Sequence, residues 1–485
     1  MLSKLPGVAE LDAVVVGAGP NGLAAAVILA RAGLKVRVFE REARIGGGSS
    51  TAELTLPGFL HDVCSAVHPM ALASRFFREF GLDSRIELLV PEISYAHPLD
   101  NGSAGIAYRD VARTASELGA DGAAWSRMLA WLARHDDAVT ELSGSPLVRF
   151  PRHPLVLAAL GVRALEQGGA AWNARFRADV APALLTGVLA HANRALPDLA
   201  AAAAGLVLAA HAHAVGWPIP VGGSQTIVDA MAADFIAHGG SIETGIEITS
   251  LDQLPPAKAT ILDVTPRALR RLAGDRLHGS YSKRFRYGNA VAKVDFALDG
   301  PVPWTNPALA GAASLHLGGT RAEIQGAERD VAAGRIPESP FVVLSQPSVL
   351  DATRAPAGKH VVWAYTHVPA GSGVDRSEAI TKQIERFAPG FRDRILASAS
   401  STAVEVERHN PNYVGGDIAA GEVSLGQLLA RPKVLDPWST PLDGVYLCSA
   451  STSPGPGVHG MGGYHAARRA LVREFGIREL PSLAP

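Results

Sequence analysis

The run Ala13-Val14-Val15-Val16-Gly17-Ala18-Gly19-Pro20-Asn21-Gly22 decides the fold. Four consecutive apolar residues predict a short strand buried on both faces, as in a parallel sheet covered by helices. Gly17 permits a tight turn, Gly19 lets backbone approach a pyrophosphate, and Gly22 lets a helix pack on the strand. Leu23, Ala26, Val27 and Ala30 then recur at helical spacing until Gly33 stops the helix. Val36-Arg37-Val38-Phe39 predicts the second strand, which ends at Glu40. The helix N-terminus offers unpaired N–H groups and partial positive charge to phosphates. Glu40, 18 residues after Gly22, is placed to accept from a ribose 2′-hydroxyl and to repel a 2′-phosphate. An adenine dinucleotide lacking that phosphate, FAD or NAD, is the expected ligand. A glycine turn with no ligand is the plain alternative, and the flanking strand and helix both weigh against it.

The continuation Arg41-Glu42-Ala43-Arg44-Ile45-Gly46-Gly47-Gly48 favours FAD. Three glycines can bring a second stretch of backbone against the pyrophosphate, and Arg44 can neutralise it. A second Gly-x-Gly-x-x-Gly, at Gly455, Gly457 and Gly460, follows a predicted strand Gly444 to Cys448 and precedes a helix from about Gly462 to Phe475. Only about ten residues follow that helix, too few for a strand presenting a second acidic residue, so a separate NAD(P) domain is not expected. The turn and helix N-terminus are instead expected to face an isoalloxazine ring, stabilising negative charge on reduced flavin.

The 485 residues predict two or three domains, and 47% hydrophobic with 19% charged residues excludes disorder as the main state. With 45 Lys+Arg against 46 Asp+Glu the net charge is −1, so nothing attracts nucleic acid at long range. Cys64 and Cys448 are the only cysteines, too few for a disulfide scaffold, and a reducing, cytoplasmic setting is expected. Met1 to Leu11 has no apolar core followed by a cleavage site, so no signal peptide is expected. Leu199 to Ala210 is apolar for only 12 residues, whereas a membrane span needs about 20. Phe150 to Leu165, with Arg152 and Arg163 flanking an apolar run, is a candidate for peripheral membrane contact, against an ordinary capped helix. Residues 74 to 214 read as mostly helical, and period-two strands at Val291 to Leu298, Phe341 to Ser345 and Val361 to Thr366 predict an antiparallel sheet.

At this point the chain resembles the phytoene desaturase-related flavoproteins, within the amine oxidase and carotenoid desaturase group, and is most similar to the pyridine nucleotide-disulphide oxidoreductase domain protein 2 branch. Asp12 to Gly22, Glu40 to Gly48, Pro57-Gly58-Phe59, Pro220-Val221-Gly222-Gly223-Ser224, Asn412 to Asp417 and Leu447 to Tyr464 carry the resemblance. It implies an α/β Rossmann-type FAD domain assembled from residues 1–73, 219–265 and 405–485. Into it would be inserted a helical cap, 74–218, and a substrate-domain sheet, 266–404. It also implies hydride removal from a hydrophobic substrate such as an isoprenoid, lipid or amine, with oxygen or a quinone as acceptor. The cofactor set it implies is Gly17, Gly19, Pro20, Asn21, Gly22, Glu40, Arg41, Arg44, Gly46, Gly47, Gly48, Ser449, Gly457, Gly460 and Met461. Two positions depart from the pattern. Ser50 stands where the branch carries Arg, and Gly457-Val458-His459-Gly460 replaces the Gly-Ile-Pro-Gly turn of the desaturases proper.

His459 is the foremost acid–base candidate, since imidazole titrates near neutrality; a turn histidine bonded to backbone is the equal alternative. Tyr464, with His465, is a second catalytic candidate against a packing role. Cys64 and His68 are candidates to approach the flavin from the other side, and Tyr413 and Asp417 lie in a glycine-rich turn, where an Asx role suits Asp417. His211 and His213 lack a carboxylate nearby in sequence, so no metal site is expected. Trp217, Trp304, Trp363 and Trp438 are core residues or pocket walls. Two rivals stay open: a redox-neutral flavin-dependent isomerase or hydratase, and a non-catalytic lipid-binding protein. The substrate, the acceptor and the oligomeric state are left unassigned by the sequence.

Overall fold

The computed structural model describes residues 11–277 and 281–485; the leader reading over residues 1–10 lies outside them. A five-stranded sheet runs in the spatial order Val445–Leu447, Ala259–Leu262, Ala13–Val16, Val36–Phe39, Ser241–Glu243, and every pairing is parallel. Ranked along the chain this is the order 3-2-1-4-5 of a dinucleotide-binding half. Its opening strand is wholly buried, as an all-apolar strand covered on both faces must be. Helices Pro20–Arg31, Gln225–Ala237 and Met461–Glu474 cover one face, where Ala and Gly let backbones approach closely.

The second sheet has seven strands, in the order Ile395–Ser401, Ala290–Leu298, His360–Val368, Val342–Ser345, Ser314–Leu317, Ile93–Pro98, Ala104–Tyr108. It is antiparallel except where Ser314–Leu317 meets Ile93–Pro98 in parallel. In register, Lys293, Tyr365, Val343 and His316 form one row across four strands, and Asp295 and Trp363 start the next. This face packs against helices Val180–Leu189, Leu199–Ala214 and Arg321–Ala332 through a core that includes Tyr95, Leu184, Trp217 and Phe341.

One expectation is corrected. The stretch from 74 to 214 is not all helical, because Ile93–Pro98 and Ala104–Tyr108 form a hairpin at the edge of the second sheet. The turn between them, Asp100-Asn101-Gly102, has the residues a tight hairpin needs, with Gly102 at φ 79°. No helix among the described residues is long and apolar enough to cross a membrane.

Candidate functional site

The opening strand ends in a turn with no room for side chains. A methyl carbon on Gly22 would lie 2.0 Å from the Gly17 carbonyl oxygen, so strand and helix touch through bare backbone. Pro20 opens helix Pro20–Arg31 where its missing N–H costs nothing. Glu40, at the end of the next strand, accepts from Ala18 N–H through Oε2 at 2.7 Å and from Glu42 N–H through Oε1 at 2.9 Å. The second glycine loop lies on the first: Gly46 N–H donates to the Ala18 carbonyl at 3.0 Å, and a methyl on Gly47 would come 3.4 Å from Gly19 Cα. Ser50 Oγ donates to the Gly47 carbonyl at 3.0 Å, so this residue clamps the loop.

The C-terminal glycine turn closes on the same place. Asn21 accepts from Gly462 N–H through Oδ1 at 3.2 Å, and a methyl on Gly463 would lie 1.9 Å from the Asn21 carbonyl. The N-termini of helices Pro20–Arg31 and Met461–Glu474 are thereby pressed together, concentrating partial positive charge at the carboxyl edge of the parallel sheet. Ser449 Oγ donates to the Val264 carbonyl at 2.8 Å, tying two strand ends together. Gly457 is exposed, while Gly460 and Met461 are buried.

Several expected residues are used otherwise. Arg44 is exposed, and Arg41 donates to the carbonyls of Arg408 and His409 at 3.3 and 2.9 Å, fastening the second glycine loop to the C-terminal segment. His459 is buried with both ring nitrogens engaged. Nδ1 accepts from Met461 N–H at 3.0 Å and Nε2 faces the Gly455 carbonyl at 3.2 Å. Burial pushes its pKa down to about 4. The ring holds the turn and caps the last long helix, and this replaces the acid–base role expected of it. Tyr464 is buried in the core with Arg75 5.4 Å from its ring centroid and Glu79 beside its hydroxyl. Asp417 accepts from the N–H groups of Gly288, Ala419 and Gly421, the Asx-type role. His211 pairs with Asp136 at 2.6 Å, and His213 lies between Trp125 and the Tyr108 carbonyl. Among the described residues no cluster of three metal-ligating side chains occurs.

Across from the glycine loops stands a group from the second sheet. A methyl on Gly48 would lie 2.3 Å from the Tyr413 hydroxyl, and the Cys64 thiol is beside that hydroxyl. Cys64, Asp263 and Tyr413 are each half-buried where they meet the glycine turns. Burial pushes the Cys64 thiol and the Tyr413 phenol up, so both stay protonated at neutral pH. Lys293, missed in the sequence, is buried with Nζ 2.5 Å from Asp295 Oδ2 and 5.9 Å from the Trp363 ring centroid. Burial raises the Asp295 pKa to about 6, against the pull of Lys293. Of the four tryptophans singled out, Trp363 alone joins this group; Trp304 bonds Gln346, Trp438 stacks on His465, and Trp217 stacks on Tyr95.

A polar core behind the glycine loop fixes its position. Asp62 accepts from Thr51 Oγ1 and Ser224 N–H, both at 2.8 Å, and Arg354 joins Asp62 to Asp351 through bonds of 2.9 Å. His68 Nε2 meets Ser224 Oγ at 2.7 Å, which places it in this polar core behind the loop.

A dinucleotide fits these residues: a bare-backbone cradle, two helix N-termini and an acidic strand end converge on one edge. A family model described as an NAD(P)-binding Rossmann-like domain matches residues 15–80. The pyridine nucleotide-disulfide oxidoreductase domain-containing protein 2 of Rattus norvegicus is 28% identical, over 94% of this chain and 93% of that protein. The phytoene desaturase (neurosporene-forming) of Rhodobacter capsulatus is 24% identical, over 97% of this chain and 96% of that protein. Among solved structures, a putrescine oxidase bound to putrescine has a TM-score of 0.59 at 17% identity, covering 95% of this chain and 98% of that one. The cyclohexylamine oxidase of Brevibacterium oxydans gives 0.58 at 15% identity, with coverage of 95% and 98%. These two show the shared fold. Along nearly its whole length the chain is thus similar to oxidoreductases of the phytoene desaturase-related group, and its architecture is that of the FAD-dependent amine oxidases.

Proposed function

We propose that this chain binds FAD at the paired glycine turns and dehydrogenates a hydrophobic small molecule of isoprenoid, lipid or amine type, with oxygen or a quinone as acceptor. The observation that carries this reading is the site where half-buried Cys64, Asp263 and Tyr413 meet the paired glycine turns, with the Tyr413 hydroxyl against Gly48 and Asp263 against Gly19 and Gly22. In it, Gly17, Gly19, Asn21, Gly22 and Gly46 to Gly48 supply backbone for the pyrophosphate. Glu40 takes the adenosine ribose, and Ser449, Gly460 and Met461 stand at the flavin end. FAD, when bound, supplies a ring that accepts a hydride. The protein's own part is to orient the substrate, exclude water and hold protons. The Tyr413 hydroxyl, against Gly48, and Lys293 Nζ, held by Asp295, are the proton-holding groups that take the place first given to His459. The aromatic pair of Trp363 and Tyr365, ring centroids 5.1 Å apart, supports an apolar substrate.

The lipid-facing part of the reading has its own support. Around helix Pro154–Gln167, Phe150 is 98% exposed, Leu155 75%, Val162 64% and Leu165 63%. Arg152 and His153 stand beside them, both paired with Glu141, and Arg163 donates to the Met128, Ala159 and Arg127 carbonyls, so the support is the exposed apolar face.

The visible spectrum of the purified protein, before and after adding FAD, tests the function. A two-banded flavin spectrum with releasable FAD, bleached anaerobically by a substrate, is the expected result. An isomer or hydrate formed with no acceptor consumed would replace dehydrogenation by redox-neutral chemistry. A colourless protein that takes up no FAD would overturn the reading in favour of lipid binding without catalysis.

A further inference from the structure

Asp263 stands just past the carboxyl end of strand Ala259–Leu262, the neighbour of the opening strand, with its own N–H bonded to the Val16 carbonyl at 2.8 Å. That position sets its side chain in front of the glycine turn. Its Oδ2 accepts from Gly22 N–H at 3.0 Å, and a methyl carbon on Gly19 would lie 3.0 Å from the same oxygen. Glu40 Oε2 already holds Ala18 N–H at 2.7 Å. Two donors of a turn built to receive phosphate are therefore occupied by the chain's own carboxylates, which stand where an anion would bind.

The surroundings offer Asp263 little to stay charged by. Facing it are Gly22 N–H from the first long helix, Glu40 from the second strand, Cys448 from the end of strand Val445–Leu447, and Tyr413 from the C-terminal segment. Two of these are neutral at neutral pH, Glu40 is a second carboxyl group, and no basic side chain stands among them. Burial is the largest influence and raises the Asp263 pKa to about 7, Gly22 N–H draws it back, and Glu40 raises it again. A dianionic pyrophosphate brought to the same turn adds repulsion of the same sign.

We propose that Asp263 contacts the FAD pyrophosphate as a neutral carboxylic acid, so that the cofactor is taken up together with one proton and held less tightly as pH rises above neutrality. This rests on the reading of the site as an FAD site. The proton comes from solvent and stays on the Asp263 carboxyl, whose O–H then donates to a phosphate oxygen; no bond of the cofactor changes. Above the pKa of the free site, each pH unit costs binding one more factor of ten until the pKa of the bound site is reached. Below it, affinity is flat.

Flavin-free protein titrated with FAD between about pH 6 and 9, followed by flavin fluorescence, tests this by linkage. Calorimetry in two buffers of different ionisation enthalpy counts the protons. The expected result is a Kd that climbs by up to about tenfold per pH unit above about pH 7, with close to one proton taken up per FAD at about pH 8. Asp263→Asn should flatten the profile and abolish the uptake while keeping binding at pH 6 within a few-fold. Asp263→Ser gives the same comparison should the Asn variant not fold. A flat wild-type profile without proton uptake overturns the inference and leaves the FAD site standing. A slope that survives both substitutions overturns it as well, assigning the proton to another group. Absence of FAD binding at every pH removes the site itself, and the inference with it.

Discussion

Replacing Arg354 by Met tests whether the polar core behind the glycine loop is held by charge. Arg354 is fully buried, and its guanidinium donates to Asp62 through Nη1 and to Asp351 through Nε, both at 2.9 Å. Met fills much of the same volume but leaves two buried carboxylates without a counter-charge. Removing one partner of such a pair costs about 3–5 kcal/mol. The carboxylates keep other donors, Thr51 and the Ser224 N–H on Asp62 and the Gly222 N–H on Asp351. We therefore expect the lower half of that range. At an unfolding entropy of about 2.1 cal/mol/K per residue, the 485 residues give about 1 kcal/mol per degree, so Tm should fall by about 3–4 °C if the chain unfolds as one unit. The loss should be larger at pH 8 than at pH 5.5, because protonation relieves an orphaned carboxylate. Adding Asp62→Asn to Arg354→Met should recover part of it. Calorimetric melting of the three proteins at both pH values is the assay. A single variant melting within about 1 °C of the parent, or a loss that neither low pH nor Asp62→Asn reduces, would refute the electrostatic account and leave packing alone.

Gly22→Ala should abolish FAD binding and destabilise the chain by about 1–3 kcal/mol, because its methyl would lie 2.0 Å from the Gly17 carbonyl oxygen; flavin absorbance per mole of purified protein and thermal melting check it. His459→Ala should cost about 1–2 kcal/mol as a lost helix cap, with substrate-dependent flavin bleaching changed by less than about tenfold. Stability should fall as pH drops from about 6.5 toward 4. Burial holds His61 at about 3 and His68, His97 and His459 at about 4, so the unfolded chain binds more protons in that window. The raised Asp263 and Asp295 act in the opposite direction but are outnumbered; melting at pH 7 and pH 5 measures the balance. Serine at Phe150, Leu155 and Leu165 together should reduce sedimentation with anionic vesicles several-fold and leave melting unchanged, since all three side chains are exposed.

What could be read from the chain alone follows from how local the cause is. The opening strand, turn, helix and strand lie within 28 residues, from Ala13 to Glu40, and each step has its own signal there. Ser50 could be flagged as unusual, yet its hydroxyl clamping Gly47 is visible only once the loop is folded. Lys293 and Asp295 carried a signal that was passed over. Two charges two residues apart in an apolar period-two strand must share a face, and here both are buried. The Asp100-Asn101-Gly102 hairpin was likewise legible and was masked by the helical composition around it. Asp263 and Arg354 were not legible. Their partners, Gly22 at a separation of 241 residues and Asp62 at 292, are brought to them only by the closed fold. His459 misled because a titratable ring beside a glycine turn invites chemistry, whereas its two nitrogens serve the backbone.

The parallel sheet draws its strands from both ends of the chain: Val36–Phe39 is made early, and Val445–Leu447 more than 400 residues later. At roughly 5–20 residues per second, a ribosome needs roughly 20–80 s to cover that interval. Throughout it Ala259–Leu262, once made, lacks its outer neighbour, and helix Pro20–Arg31 lacks Met461–Glu474 across its Asn21 end. The cofactor cradle is thus completed only once helix Met461–Glu474 has been made, so FAD can act only on chains extended past it. Scarcity of the vitamin during growth should therefore show as full-length protein lost to proteolysis, and not as truncated products stalled during synthesis.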